Sequence, residues 1–184
     1  MTAAPPSQAQ PTFYYDLGVP SCYLMAERIM STLPVLPEWE PVLAQRLGGI
    51  DPDPDWTSIE RLAVAQQLQP LRRPAAWPPD TREAMLAATY AKKVGRAVAF
   101  SLAAFRQEFA GGQDLGVPDT VLIAAAACEM HPTALLKAVA LRSTGDALER
   151  AVQRALAADA NALPAIQVGS AVFYSLEDAE AALR

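Results

Sequence analysis

The sequence predicts an α/β fold in which two short β-containing segments are separated by a long, wholly helical block. Three observations carry this expectation. Near the start of the chain an aromatic-rich run, "TFYYDL", leads directly into a helical pattern. For roughly a hundred residues after that, apolar positions recur only at helical spacing. The chain then closes on an alternating stretch, "PAIQVGSAVFY", followed by one more helix.

Residues 1–11, "MTAAPPSQAQP", are rich in Ala, Pro, Ser and Gln and are expected to form a disordered tail. The "TFYYDL" run, punctuated by Gly18 and Pro20, reads as a buried strand entering a turn. From Pro20 onward, Cys22, Met25, Ala26, Ile29 and Leu33 recur at steps of three and four, with Glu27, Arg28 and Ser31 on the opposite face. Pro20 suits a first helical turn, where its missing N–H costs nothing. Pro34 and Pro37 stop this helix, and "EWEPVL" reads as a second strand that Pro41 confines to a sheet edge or to the strand's own end. The loop "GGIDPDPD" follows.

The block from Trp56 to Asp159 reads as helices joined at Gly and Pro. "TSIERLAVAQQLQ" opens with Thr57 and Glu60 at capping-box spacing, and "PPDTREAMLAATYAKK" with Pro79 and Asp80. Val98, Leu102, Phe105 and Phe109 form an apolar stripe, and further helices are expected over 119–129, 133–141 and 144–159. Gly169-Ser170 supplies a two-residue hairpin turn, and the last helix begins near Ser175 with Glu177 and Asp178 in its first turn. The order β-α-β, helices, β-β-α is that of a thioredoxin-like fold with an all-helical insertion. It implies a single domain over 12–184, with halves 12–50 and 160–184 and an insert at 56–159.

Composition narrows the function. With 184 residues, 52% of them hydrophobic, the chain can bury one ordinary core. A net charge of −5, with Lys and Arg scattered in pairs such as Arg72-Arg73 and Lys92-Lys93, would repel phosphate backbones, so no nucleic-acid partner is expected. Runs such as "AKKVGR" read as solvated helix faces. The opening residues have neither the charged start nor the apolar stretch of a secretion signal, and no run spans a bilayer. A soluble, cytoplasmic protein is expected. Cys22 and Cys128 share no framework spacing and read as free thiols, Cys128 as packing. The single histidine, His131, excludes a His-rich metal site, and no metal is expected.

Three segments carry a family likeness. "FYYDLGVPSCYLMAERI", "AAFRQEFAGGQDLGVPDTVL" and "RALAADANALPAIQVGSAVFYSLEDAEAAL" resemble, in order and spacing, the DsbA-like proteins of the 2-hydroxychromene-2-carboxylate isomerase and kappa-class glutathione transferase branch. In that branch an aromatic strand with an Asp leads into C-P-x-C or S-P-x-S. The resemblance implies that Pro164 is the family's cis-proline, beside the motif in space, and that the Leu163 backbone offers strand-like hydrogen bonds to a bound thiol or peptide. It also implies a small-molecule or thiol substrate and a glutathione-like thiol as cofactor. Dimers are common among relatives, so a homodimer is a possible assembly.

Measured against that motif, the chain departs at its first position, where Val19 can neither attack nor donate a hydrogen bond. Cys22 keeps the second position. It is either a monothiol that exchanges with a small disulfide or a core residue sharing the stripe of Met25 and Ile29. Ser21 is the hydroxyl nearest the missing nucleophile, able either to orient a bound thiol or to cap the helix. Where relatives carry an Asp-Arg pair before the last helix, this chain has Ser175, Glu177 and Asp178. Tyr14, Tyr15, Tyr23 and Trp39 either line a cleft between the halves and the insert or pack the core; for Tyr23 the two readings are balanced.

Two functions remain in competition. In the first the chain is an oxidoreductase or isomerase acting on a small or thiol substrate beside Val19, Pro20, Ser21 and Cys22, with Tyr23, Leu163, Pro164 and Ser175 around the ligand. In the second the same cleft holds a peptide or metabolite without turnover.

Overall fold

The computed structural model describes residues 10–184. The expected tail lies outside the described residues up to position 9. Its last residue, Pro11, is buried, and its carbonyl accepts a 2.8 Å hydrogen bond from Glu38 N, extending the sheet by one step.

Four strands form one sheet in the order β2-β1-β3-β4, with β1 at Thr12–Tyr15, β2 at Glu38–Pro41, β3 at Ala165–Val168 and β4 at Ala171–Phe173. β2 returns parallel to β1 through helix α1, Pro20–Thr32, while β3 runs antiparallel to β1 with Phe13 opposite Ile166 and Tyr14 opposite Ala165. The two distant β segments therefore share one sheet. β2 lies at the edge and ends on Pro41, where a residue without an N–H breaks no ladder. Period-two alternation decides which residues go to which face of β1. Phe13 and Tyr15 point to one side, where Trp39 and Phe105 meet them at ring-centroid distances of 5.1–5.9 Å. Tyr14 points to the other, against Val152 and Ala155.

The insert contributes α2 (Trp56–Ala65), α3 (Arg82–Lys93), α4 (Ala97–Phe105), α5 (Pro118–Ala126), α6 (Pro132–Val139) and α7 (Arg142–Ala157), and α8 (Leu176–Ala182) closes the chain. Two local expectations need correction. Helix α2 is capped by Asp55, whose carboxylate accepts from Ser58 N at 3.0 Å, not by a Thr57–Glu60 box. An earlier start carries Trp56 into the helix, where its ring meets Trp77 edge-on at 4.8 Å. The stripe of Val98, Leu102, Phe105 and Phe109 is also only half right. Val98 and Leu102 are half-exposed, and the buried face of α4 runs through Phe100, Ser101, Ala104 and Phe105. A π-helical turn, Arg106–Ala110, follows, and its wider spacing brings Phe109 back to the buried side five residues after Ala104. Among the described residues, no helix is long and apolar enough to cross a membrane.

Candidate functional site

Topology brings the site together. β1 delivers the chain at its C-terminal end into the turn 16–19 and then α1. Because β3 is antiparallel to β1, its N-terminal end, immediately preceded by Pro164, lies beside that same turn. The Leu163–Pro164 bond is cis, as is Trp77–Pro78.

Asp16 fixes the turn. Its carboxylate is buried and accepts from Gly18 N at 2.9 Å and Ala44 N at 2.8 Å. Burial raises its pKa, and these hydrogen bonds pull in the opposite direction. Gly18 sits where the insert presses closest: a Cβ there would lie 2.6 Å from Thr81 Cγ2 and 2.9 Å from both Ile50 Cδ1 and Pro79 Cγ. Val19 is the N-cap of α1, extended, and its carbonyl accepts from Cys22 N and Tyr23 N.

A groove of about 210 Å³ opens over the first turns of α1. Ser21, Pro164 and Ser175 all line it, so three of the residues expected around a ligand do converge. Leu24, Met25 and Leu176 give it apolar walls, and Arg28 and Glu177, paired at 2.9 Å, close one end. Ser175 caps α8 by accepting from Asp178 N.

The remaining candidates lie outside the groove lining. Cys22 is fully buried in the core, and its thiol pKa stands well above the ordinary value, chiefly because burial disfavours the thiolate. Tyr23 is likewise core, its ring stacked on Phe109 at 5.5 Å, so it does not line the groove. Tyr14, Tyr15 and Trp39 are buried too. Val19 and Pro20 are buried, and Leu163 packs against both core clusters; none of the three lines the groove. Cys128 is buried with its thiol directed at Ala124 O, and His131 caps α6 by accepting from Thr133 N through Nδ1.

Sequence reasoning missed the wall contributed by the insert. Leu62 of α2 and Gln66, which follows that helix directly, line the groove, and Gln66 Oε1 is buried without a hydrogen-bond partner among the described residues. It also missed Tyr174, whose hydroxyl accepts from Asn161 N at 3.1 Å and donates to Asp159 O at 3.2 Å, tying the approach to Pro164 onto the hairpin. Tandem hydroxyl contacts of this kind leave no periodic signal.

The sheet order, the crossover helix and the inserted helical block define a DsbA-like thioredoxin fold. Among solved structures, a 2-hydroxychromene-2-carboxylate isomerase superposes with a TM-score of 0.79 at 14% identity, over 92% of this chain and 90% of that one. A probable DsbA oxidoreductase from Streptomyces coelicolor gives 0.77 at 16% identity, over 95% and 88%. The cytosolic disulfide reductase DsbM from Pseudomonas aeruginosa, also solved with GSH, gives 0.62 at 13% identity, over 95% and 96%. No protein-family model matches the chain, and no curated protein matches it in sequence.

Proposed function

We propose that the groove beside Ser21 and Pro164 binds a small amphipathic molecule, and that any reaction there proceeds on sulfur or carbon of the bound molecule, not on a sulfur of the chain. The observation that carries this reading is the complete burial of Cys22, together with a Val19 that has no reactive atom. A dithiol cycle needs an accessible thiolate and a resolving partner, and this arrangement offers neither. What reaches the groove instead is the Ser21 hydroxyl, at the positive end of α1, with the Ser175 hydroxyl and the Gln66 amide across from it.

A low-molecular-weight thiol as cosubstrate is favoured by one further observation. The exposed Ser21 hydroxyl lines the same groove as Pro164, two residues past the position where isomerase relatives carry the serine that assists a bound thiol. Glutathione itself fits poorly. The groove falls below the roughly 300 Å³ of an ordinary small-molecule pocket. A γ-glutamyl carboxylate would also meet Glu177 at the groove's end and Asp178 beside it, while Arg28 is already paired. A small thiol without a distal carboxylate suits these surroundings better. The reading keeps the protein in the cytoplasm, where such thiols are abundant.

Calorimetric titration of the full chain with 2-mercaptoethanol, cysteamine and glutathione tests the proposal. The uncharged or cationic thiols should bind more tightly than glutathione, Ser21→Glu should abolish binding, and the wild-type chain should not reduce insulin. Insulin reduction by the wild type, or binding indifferent to Ser21→Glu, would sink the proposal.

A further inference from the structure

A second cavity, of about 410 Å³, lies between α3 and α7 against β2, at the edge of the sheet opposite to β4 and sharing no residue with the groove. Its floor is Glu40, a buried carboxylate on β2 whose Oε2 accepts from both Lys92 Nζ at 2.7 Å and Arg154 Nη2 at 2.8 Å. Lys92 also reaches Glu38 at the rim. One carboxylate oxygen thus anchors two cations from two helices and holds them in place. Lys93 and Arg150 line the same cavity, and neither has an ion-pair or hydrogen-bond partner among the described residues. Four cations therefore surround a cavity whose lining contains one acid, on a chain whose net charge is −5.

The α7 wall has a regular origin. Ser143, Ala147, Arg150 and Arg154 follow one another at helical steps of four, three and four, so they share one face about 16 Å long. Ala147 leaves room at its middle, Ser143 and Thr144 place hydroxyls at one end, and the half-buried Tyr90 of α3 adds an aromatic ring. Cations that need neutralising, hydroxyl donors and a ring around a cavity of drug-like volume are the complement of an organic anion.

We propose that this cavity is a binding site for a small organic dianion, a phosphate monoester or a dicarboxylate, with its charged group between Lys93 and Arg150 and its apolar body along Ala147 and Tyr90. The fixed Lys92 and Arg154 supply the surrounding positive field at no cost in ordering them on binding. The site is independent of the reading given to the groove.

Isothermal titration of the full chain with phenyl phosphate and with phthalate, and with acetate as the monoanion control, tests it. At least one dianion should bind saturably with Kd below about 1 mM, and which one does so names the head group. Lys93→Glu and Arg150→Glu should each weaken binding by about tenfold. Lys137→Glu on α6, the same change in net charge elsewhere, should leave it within about twofold. Unchanged thermal melting establishes that the variants fold, and Lys93→Gln and Arg150→Gln should show the same order of effects with less charge change. Absence of saturable binding by both dianions, acetate binding as tightly, or a Lys137→Glu effect as large as the other two would each overturn the assignment.

Discussion

The hydroxyls of Tyr15 and Ser101 share a 2.6 Å hydrogen bond, fully buried, where the central strand meets helix α4 of the insert. It is a buried polar contact between the thioredoxin-like half and the helical block, set among the rings of Phe13, Trp39 and Phe105. Burial raises the pKa of the Tyr15 hydroxyl, so it stays protonated across the physiological range. Ser101→Ala leaves that hydroxyl enclosed without its partner and should cost about 1–3 kcal/mol in urea unfolding. Adding Tyr15→Phe removes the orphaned group and should restore part of the loss. A Ser101→Ala protein as stable as the wild type would show the bond to be unimportant.

Thiol reactivity tests the placement of both cysteines in the core. Native protein treated with iodoacetamide at neutral pH should take up label at neither Cys22 nor Cys128, both being buried with raised pKa values, and at both once denatured. Fast labelling of Cys22 in the native state, read by peptide mass spectrometry, contradicts its placement in the core.

Val19→Cys recreates C-P-S-C at the positive end of α1. The new thiol should label with iodoacetamide, form a disulfide with Cys22 in mild oxidant, and confer insulin reduction that the parent lacks. Val19→Cys combined with Cys22→Ala should retain labelling but stall as a mixed disulfide. A folded Val19→Cys protein with an unreactive thiol would mean that the small residual exposure of position 19 does not admit the reagent.

Gly18→Ala should destabilise the protein by roughly 1–3 kcal/mol, since the added methyl meets Thr81, Pro79 and Ile50 at less than 3 Å. Thr81→Ser removes the methyl at 2.6 Å and should recover part of the loss. Equal melting temperatures for Gly18→Ala and wild type would show that the insert moves aside freely.

Glu108 in the π-helical turn is wholly buried, accepts from Leu115 N at 2.9 Å, and leaves Oε1 unpartnered among the described residues. Burial raises its pKa to about 8. An acid whose folded pKa is raised keeps its proton in the native state while the unfolded chain releases it. The unfolded state therefore binds fewer protons, and stability falls as pH rises from the unfolded value of 4.5 toward 8, then levels. Glu108→Gln should remove that slope and be more stable than wild type at pH 9 by a few kcal/mol. Identical pH profiles for the two proteins in chemical unfolding would refute this assignment.

Much of the fold was legible because its signals are local. Pro20 opening α1, Pro41 ending an edge strand and Gly169-Ser170 turning the hairpin each act through their own backbone, and each sits where its chemistry requires. Ser21, Pro164 and Ser175 could be placed around one groove only through the family likeness, since nothing periodic links positions so far apart in sequence. The insert's share of the site was not legible. Leu62 and Gln66 look like ordinary helix-face residues until α2 is laid against α1. On α4, Val98 and Leu102 pack only at the margin of the core because the buried face runs through Phe100, Ser101 and Ala104, and Asp55 caps α2 ahead of Thr57 because Trp56 already belongs to the helix.

With both cysteines enclosed, the sulfur that lines the groove is the thioether of Met25. Peroxide would leave such a pocket untouched at the level of disulfides, yet conversion of Met25 to its sulfoxide would place a polar oxygen against the apolar wall. Oxidative stress would then register as weakened ligand retention, reversible by methionine sulfoxide reductase and blind to dithiothreitol.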